Sequence, residues 1–318
     1  MKGLQGKLIF GFILAFAVFI GLGIYADFRV MLRLLQGFRW MLLPVILSLT
    51  IFNYALRFSK WHYYLRQIGV KNLSWWADLR VYVGGFAFSL TPGKVGELVR
   101  LSWLKNLADV HPAKTAPVAV AERLTDGMAM VLIALLSGFI YPQYWPVLLS
   151  IGVILLGAVI VIQFRSLALW MLNLGEKILL VSKIIHHLHT LYESAYELLG
   201  WRNLLVAVGL GTTAWLSQGV AFYLVLLGLG VSPSPDMLIL AIFILAFSTV
   251  AGGASGVPGG LGVTEGGLTG MLILLAALPA DLAATATLLI RFCTMWLGVT
   301  LGLAVVLVWR KFLFGEQA

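Results

Sequence analysis

At 318 residues the chain is 61% apolar and only 11% charged, a composition outside the soluble globular class. No polar stretch is long enough for a separate soluble domain, and the net charge of +9 falls beside apolar runs, where it sets topology and meets anionic headgroups rather than nucleic acid. The one cysteine, Cys293, lies in an apolar run and cannot form an intrachain disulfide.

Residues 8–24 follow Lys2 and Lys7. The run is long for the core of a signal peptide and reads as a retained first span. Residues 27–39, with Arg29 and Arg33 four apart, predict a short interfacial helix. Residues 41–58 form the second span, with Pro44 placed to kink it. It runs into Arg57, Lys60, Arg66 and Lys71 beside Trp61, Tyr63, Tyr64, Trp75 and Trp76, a mixture of basic anchors and interfacial aromatics. A broken, re-entrant element follows at about 81–108, carrying Lys94, Glu97 and Arg100. The third span, 117–141, opens with Glu122, Arg123 and Asp126, and a turn at 142–146 leads to the fourth, about 147–164.

Residues 165–202 alternate charges with apolar positions and predict an amphipathic helix on the membrane face. His186, His187 and His189 belong to that surface, because no carboxylate or cysteine joins them at metal-binding spacing. The fifth span is 203–230, and the SPSPD turn at 232–236 leads to a second broken element. The sixth span, about 283–309, ends at Arg310 and Lys311.

The second broken element carries GGASGVPGGLGVTEGGLTG at 252–270, with one acid, Glu265. Its apolar flanks, 238–250 and 268–278, are shorter than the roughly 20 residues a crossing helix needs. A glycine-rich loop outside the membrane is the competing reading. An acid within such a stretch favours an elbow facing an internal site. A weaker copy lies at 86–100: Pro92-Gly93 match Pro258-Gly259, Gly96 matches Gly262, Glu97 matches Glu265, and Arg123 matches Arg291. Further matches (Tyr64 with Tyr223, Gly69 with Gly228, Phe88 with Phe247) extend the repeat outward. A broken helix in each half is the mark of a transporter-like fold.

Lys and Arg are absent from 124–164 and 203–290 and abundant in 57–114, 165–202 and 310–311. The basic segments are therefore cytoplasmic, as are both termini, and the two elements enter from opposite faces as an inverted repeat. Arg29, Arg33 and Arg39 fall outside in this scheme, against the rule. The expected architecture is all-α and polytopic: six full spans, two broken re-entrant pairs, repeat 1 at about 40–141, a connector at about 165–202 and repeat 2 at about 203–309.

Charges at membrane depth need partners or water. The candidates are Arg57, Lys94, Glu97, Arg100, Glu122, Arg123, Asp126, Glu265 and Arg291, with Pro258, Gly259, Gly260 and Gly262 forming the elbow. Their excess of cations suits a lipid phosphate, and Glu265 is placed to pair with Arg291 when the site is empty. The alternative is a set of structural ion pairs, Arg123 and Asp126 being an i,i+3 pair on one helix.

The strings NYALR at 53–57, TPGKVGE at 91–97, ERLTDG at 122–127 and PGGLGVTE at 258–265 resemble the flippase-like membrane family typified by the transmembrane half of lysylphosphatidylglycerol synthases (the MprF type). The resemblance covers nearly the whole chain and implies movement of lipid between leaflets of a bacterial or archaeal cytoplasmic membrane. The chain lacks the synthase domain of that type, so no enzymatic activity or cofactor is expected. Its substrate is a lipid-linked sugar, a glycolipid or an aminoacylated phospholipid, with some preference for the glycolipids. The expected partners are membrane lipids; a homo-oligomer and a lipid-synthesising enzyme partner stay open. An integral membrane transferase acting on polyprenyl-phosphate substrates and an ion-coupled solute transporter remain as alternatives.

Overall fold

In a computed structural model, described for residues 2–91, 95–137, 142–166, 170 and 185–315, the chain is helical and no strand occurs among the described residues. The first helix, α1 (Lys2–Tyr25), turns by 91° into α2 (Phe28–Gln36). Asp27 caps α2 by accepting from Arg29 N, and its own N–H donates to Asp281 Oδ1. After a 3-10 turn, Trp40–Leu42, α3 (Leu43–Gln67) runs 25 residues. Pro44 lies at its start, where a missing N–H costs nothing, so the expected kink is absent. The helix also continues nine residues beyond the expected end at Phe58 (67 − 58), which carries Lys60 into the bundle.

The first broken element is α4 (Trp75–Gly84), a 3-10 turn (Gly85–Phe88) and α5 (Val95–Ala108). Then come α6 (Pro112–Ser137), α7 (Trp145–Gln163) and α8 (Ile185–Leu198). Helix α6 starts five residues before the expected Pro117 (117 − 112). Tyr192, Ala195 and Leu198 form the buried side of α8, which packs on α6 and α7, as an amphipathic connector should. Much of that connector, 167–169 and 171–184, lies outside the described residues.

The second half comprises α9 (Trp201–Gly228), α10 (Pro235–Ala254), a 3-10 turn (Pro258–Gly260) and α11 (Val263–Ala276). One long final helix follows: α12 (Ala280–Arg291), a π turn (Phe292–Trp296) and α13 (Leu297–Val308), with a short α14 (Arg310–Phe314) folded back on α5.

Among the described residues six helical runs are long and apolar enough to cross a membrane, but they are not the expected six. Helices α10 and α11, with its leading turn, join the set at 20 and 19 residues; α1 with α2 forms a bent seventh candidate. The flanks of the glycine stretch are thus not half-length. Ser234 caps α10 so that it starts at Pro235, and residues 251–254 continue the helix after Val250. They can do so because a Cβ on Gly252 would meet Thr264 Oγ1 at 2.0 Å: absent side chains let α10 run on against the elbow. Helix α6 is missing from the six because of its charges. It packs among α5, α8, α9 and α10, with Val120, Leu132 and Leu136 exposed.

Two apolar cores form, and each draws on both halves of the chain. Phe222, Phe243, Ile244, Leu272 and Ile290 anchor the first, joined by Phe38, Ile46 and Ile133; Trp61, Tyr82, Phe88, Trp103 and Leu104 anchor the second, joined by Ala207 and Leu313. Between them lies the contact of α3 with α9, which run antiparallel. Ser217 Oγ donates to Leu49 O at 3.4 Å, Asn53 Nδ2 to Ala214 O at 2.7 Å, and Tyr63 Oη to Asn203 Oδ1 at 2.5 Å. Helix α13 closes on the 3-10 turn so tightly that a Cβ at Gly302 would lie 2.3 Å from Ala87 N.

Backbone cannot give way as a flexible side chain can. Gly302→Ala should therefore lower stability by about 1–3 kcal/mol, read as thermal unfolding in detergent. Gly157→Ala, where nothing lies within 4 Å, should shift it by less than about 1 kcal/mol.

Candidate functional site

The elbow of the second element is built by backbone that only glycine adopts readily. Gly259, Gly260 and Gly262 have φ of 59°, 65° and 82°. Gly260 is doubly constrained, since a Cβ there would also lie 3.2 Å from Gly252 Cα. Pro258 opens the 3-10 turn, and Gly262 delivers the chain into α11 so that Glu265 is its third residue. There Glu265 Oε2 accepts from Gly262 N at 2.7 Å, half of a capping box.

The other carboxylate oxygen, Oε1, accepts from Arg291 Nε at 2.6 Å, and Glu265 is completely buried. Arg291 Nη2 donates to Gly259 O at 3.0 Å and lies against Met295 Sδ. One guanidinium thus ties the end of α12 to the start of α11 and to the elbow itself. The π turn brings Met295 to this position and exposes the Thr294 carbonyl, which accepts from Tyr54 Oη at 2.5 Å. Such turns frequently occur at functional sites. Leu90, from the break in the first element, is fully buried with Leu261, Ala15 and Val299, so the tips of the two broken elements meet inside the protein.

A second charged cluster lies between α3, α4, α5 and α6. Lys60, with no exposed surface, donates to Asp126 Oδ1, and lies 3.3 Å from Thr125 Oγ1. Arg57 Nη2 stands 3.5 Å from Asp126 Oδ2, and Arg100 Nη1 3.5 Å from Glu122 Oε2. Arg57 stacks over Trp215, and Arg100 over both Trp61 and Tyr82. Arg57 and Lys60 are therefore internal partners of Asp126, not interfacial anchors. They become so because α3 outlasts its apolar run, and Glu122 and Asp126, four apart, share the face of α6 that meets them.

Arg123 projects from the exposed side of α6, so Asp126 is gripped by α3 rather than held only within its own helix. Glu97 is the third residue of α5, as Glu265 is of α11. The side chains of Glu97, His186 and His187, and all of Pro92, Gly93 and Lys94, lie outside the described residues.

Sequence reasoning did not single out Tyr54, Lys60, Tyr82, Trp215 or Met295 as site residues. For Lys60 a signal existed, since it lies three residues from Arg57 on one helical face. For the others only the packing brings them in. Nor did it find the staple at the foot of α3: Asp78 accepts from Trp61 Nε1 at 2.7 Å and meets His62 Nδ1 at 2.5 Å.

Removing one member of a buried pair strands the other charge. Asp126→Asn should cost about 3–5 kcal/mol, and Lys60→Met combined with Asp126→Asn should restore part of it, Arg57 still lacking its carboxylate. Thermal unfolding of the purified variants distinguishes this from an unpaired lysine that reaches water, for which the single change would be nearly neutral.

The model of the lysylphosphatidylglycerol synthase transmembrane region matches residues 12–302. A UPF0104 membrane protein of Methanothermobacter thermautotrophicus is 24% identical, over 93% of this chain and 92% of that protein. No solved structure matches. With a match across both broken elements and both charged clusters, the chain belongs to the lysylphosphatidylglycerol synthase transmembrane-region family.

Proposed function

We propose that this protein is a lipid translocase that carries an anionic lipid between the leaflets of a cytoplasmic membrane. A lipid-linked sugar or glycolipid is the favoured cargo, and an aminoacylated phospholipid the other candidate. The observation that carries the reading is the Glu265–Arg291 pair, tied to the Gly259 carbonyl where the two broken elements meet. Ionisable groups at that depth are costly to keep and mark transport routes. In this mechanism the lipid phosphate takes the place of Glu265 on Arg291. Glu265 keeps the Gly262 N–H, and Arg291 is never left without an anion at any step. Loss of the Arg291 contact to Gly259 O lets the elbow reorient.

Two features support an inverted repeat. The repeat mates α3 and α9 run antiparallel, as inversion requires. The packing is also reciprocal: α10 lies on α6, the last helix of the first half, while α4 and its 3-10 turn lie on α13, the last helix of the second. Orientation follows from the ends of the bundle. Exposed Trp75, Trp76, Trp201 and Trp309 mark one end, beside Arg66, Lys71, Arg80, Arg202, Arg310 and Lys311. Among the described residues, Arg29, Arg33 and Arg39 serve the other, where Trp40 and Met41 are exposed. The more basic end is cytoplasmic in this reading, and both termini with it.

In proteoliposomes, Glu265→Gln should insert and remain folded yet move fluorescent glycolipid at least about tenfold more slowly, the loss expected for one charged hydrogen bond. Arg291→Lys, which cannot reach Glu265 and Gly259 together, should behave alike. Wild-type rates in both would make the pair a structural pin. For topology, cysteines at Lys71 and at Ser232, in a chain with Cys293 replaced, should label from opposite faces. Labelling from one face overturns the orientation.

A further inference from the structure

The described side chains of the first-half cluster are not charge-balanced. Three cations (Arg57, Lys60, Arg100) face two carboxylates (Glu122, Asp126). Lys60 and Asp126 satisfy each other closely. The two arginines approach their carboxylates only to 3.5 Å. Their Nε atoms are buried without an acceptor, and so is the Tyr82 hydroxyl. Tyr82 is 1% exposed and Arg100 8%. The Arg100 guanidinium lies 5.1 Å from the Tyr82 ring, whose phenol is also within electrostatic reach of Arg57. Buried donors left unmade are costly, and most proteins avoid them.

We infer that Arg57, Arg100 and Tyr82 form a binding site for a phosphate-type oxyanion in the first half, separate from the Glu265–Arg291 pair. An oxyanion supplies what the described side chains lack, a further negative charge and several acceptor lone pairs. A tetrahedral phosphoryl group can take guanidinium N–H donors from two directions and a phenol from a third. The arginines are already oriented for it, clamped on the faces of Trp61, Tyr82 and Trp215. Gly85 lets the Arg100 side chain lie against the 3-10 turn in this position, because a Cβ there would lie 2.3 Å from Arg100 Nε. The site is not sealed, since the Arg57 side chain keeps 20% of its surface. The Glu265–Arg291 pair differs: its charges balance, and Arg291 also reaches a carbonyl. The two halves therefore stand in different states, one open to an anion and the other closed on itself.

That the phosphate belongs to a lipid rests on the translocase reading; the site itself does not. The test is calorimetric titration of the detergent-purified full chain with dihexanoyl phosphatidic acid, with inorganic phosphate, and with dihexanoylglycerol as the phosphate-free control. Phosphatidic acid should bind and dihexanoylglycerol should not. Binding of inorganic phosphate with equal affinity would keep the site but assign it to a free solute. Tyr82→Phe removes only an unpartnered hydroxyl and so preserves the fold; it should weaken binding several-fold. Arg100→Gln with Glu122→Gln removes one charge of each sign and should weaken it about tenfold or more. Glu122→Gln alone should tighten it. Wild-type affinity in both Tyr82→Phe and the double variant, or no binding of either phosphate by the wild type, overturns the inference. If those variants still move lipid normally, the translocase reading survives that failure. If binding follows the variants but the wild type moves no lipid, the reading falls and the site stands.

Discussion

The arrangement of this protein depends on where its helices put charge. A lysine with no exposed surface can persist in an apolar bundle only if an opposite charge is brought to it by another helix. Lys60 and Asp126 meet this condition between α3 and α6, and the contact fixes how those two helices face each other. Small residues complete the fit: a Cβ on Gly211 of α9 would lie 3.7 Å from Lys60 Nζ and 3.2 Å from Ala129. The ion pair thus sets the meeting point of three helices.

Close backbone approach is the second constraint, and it acts in both halves. Gly252 against Thr264 closes the elbow on α10, while Gly302 against Ala87 closes the last helix on the first broken element. Where lipid is the solvent, no hydrophobic force distinguishes one helix partner from another, so such small-residue contacts carry the packing. They also bring Leu90 to Leu261 and the two breaks into one interior region. The elbow itself is only partly enclosed: Gly260 and Leu261 are buried while Gly256, Gly259 and Gly262 are exposed.

The two charged clusters have different chemistry despite their related positions. Glu265 and Arg291 match in number and are further held by a backbone N–H and a carbonyl. Around Arg57 and Arg100, cations exceed carboxylates among the described side chains, and donors lack acceptors.

The all-helical membrane class, the short interfacial helix after the first span and the candidate elbow were legible in the sequence. Composition, apolar run length and glycine spacing act locally and leave a record in one stretch of chain. The pairing of Glu265 with Arg291 was legible too, since neither has another charge nearby in the sequence. Helix ends were less legible: α3 carries polar residues on to Gln67 and α10 takes in glycines, because tertiary partners override local preference. That is why Lys60 read as an interfacial anchor and α10 as a half-length flank. Only the tertiary structure decided that Asp126 belongs to Lys60 and Arg57, that a π turn brings Met295 to Arg291, and that buried donors on Arg57, Arg100 and Tyr82 go unmatched. Whether a donor has an acceptor depends on distances between segments far apart in the chain, which no local pattern encodes.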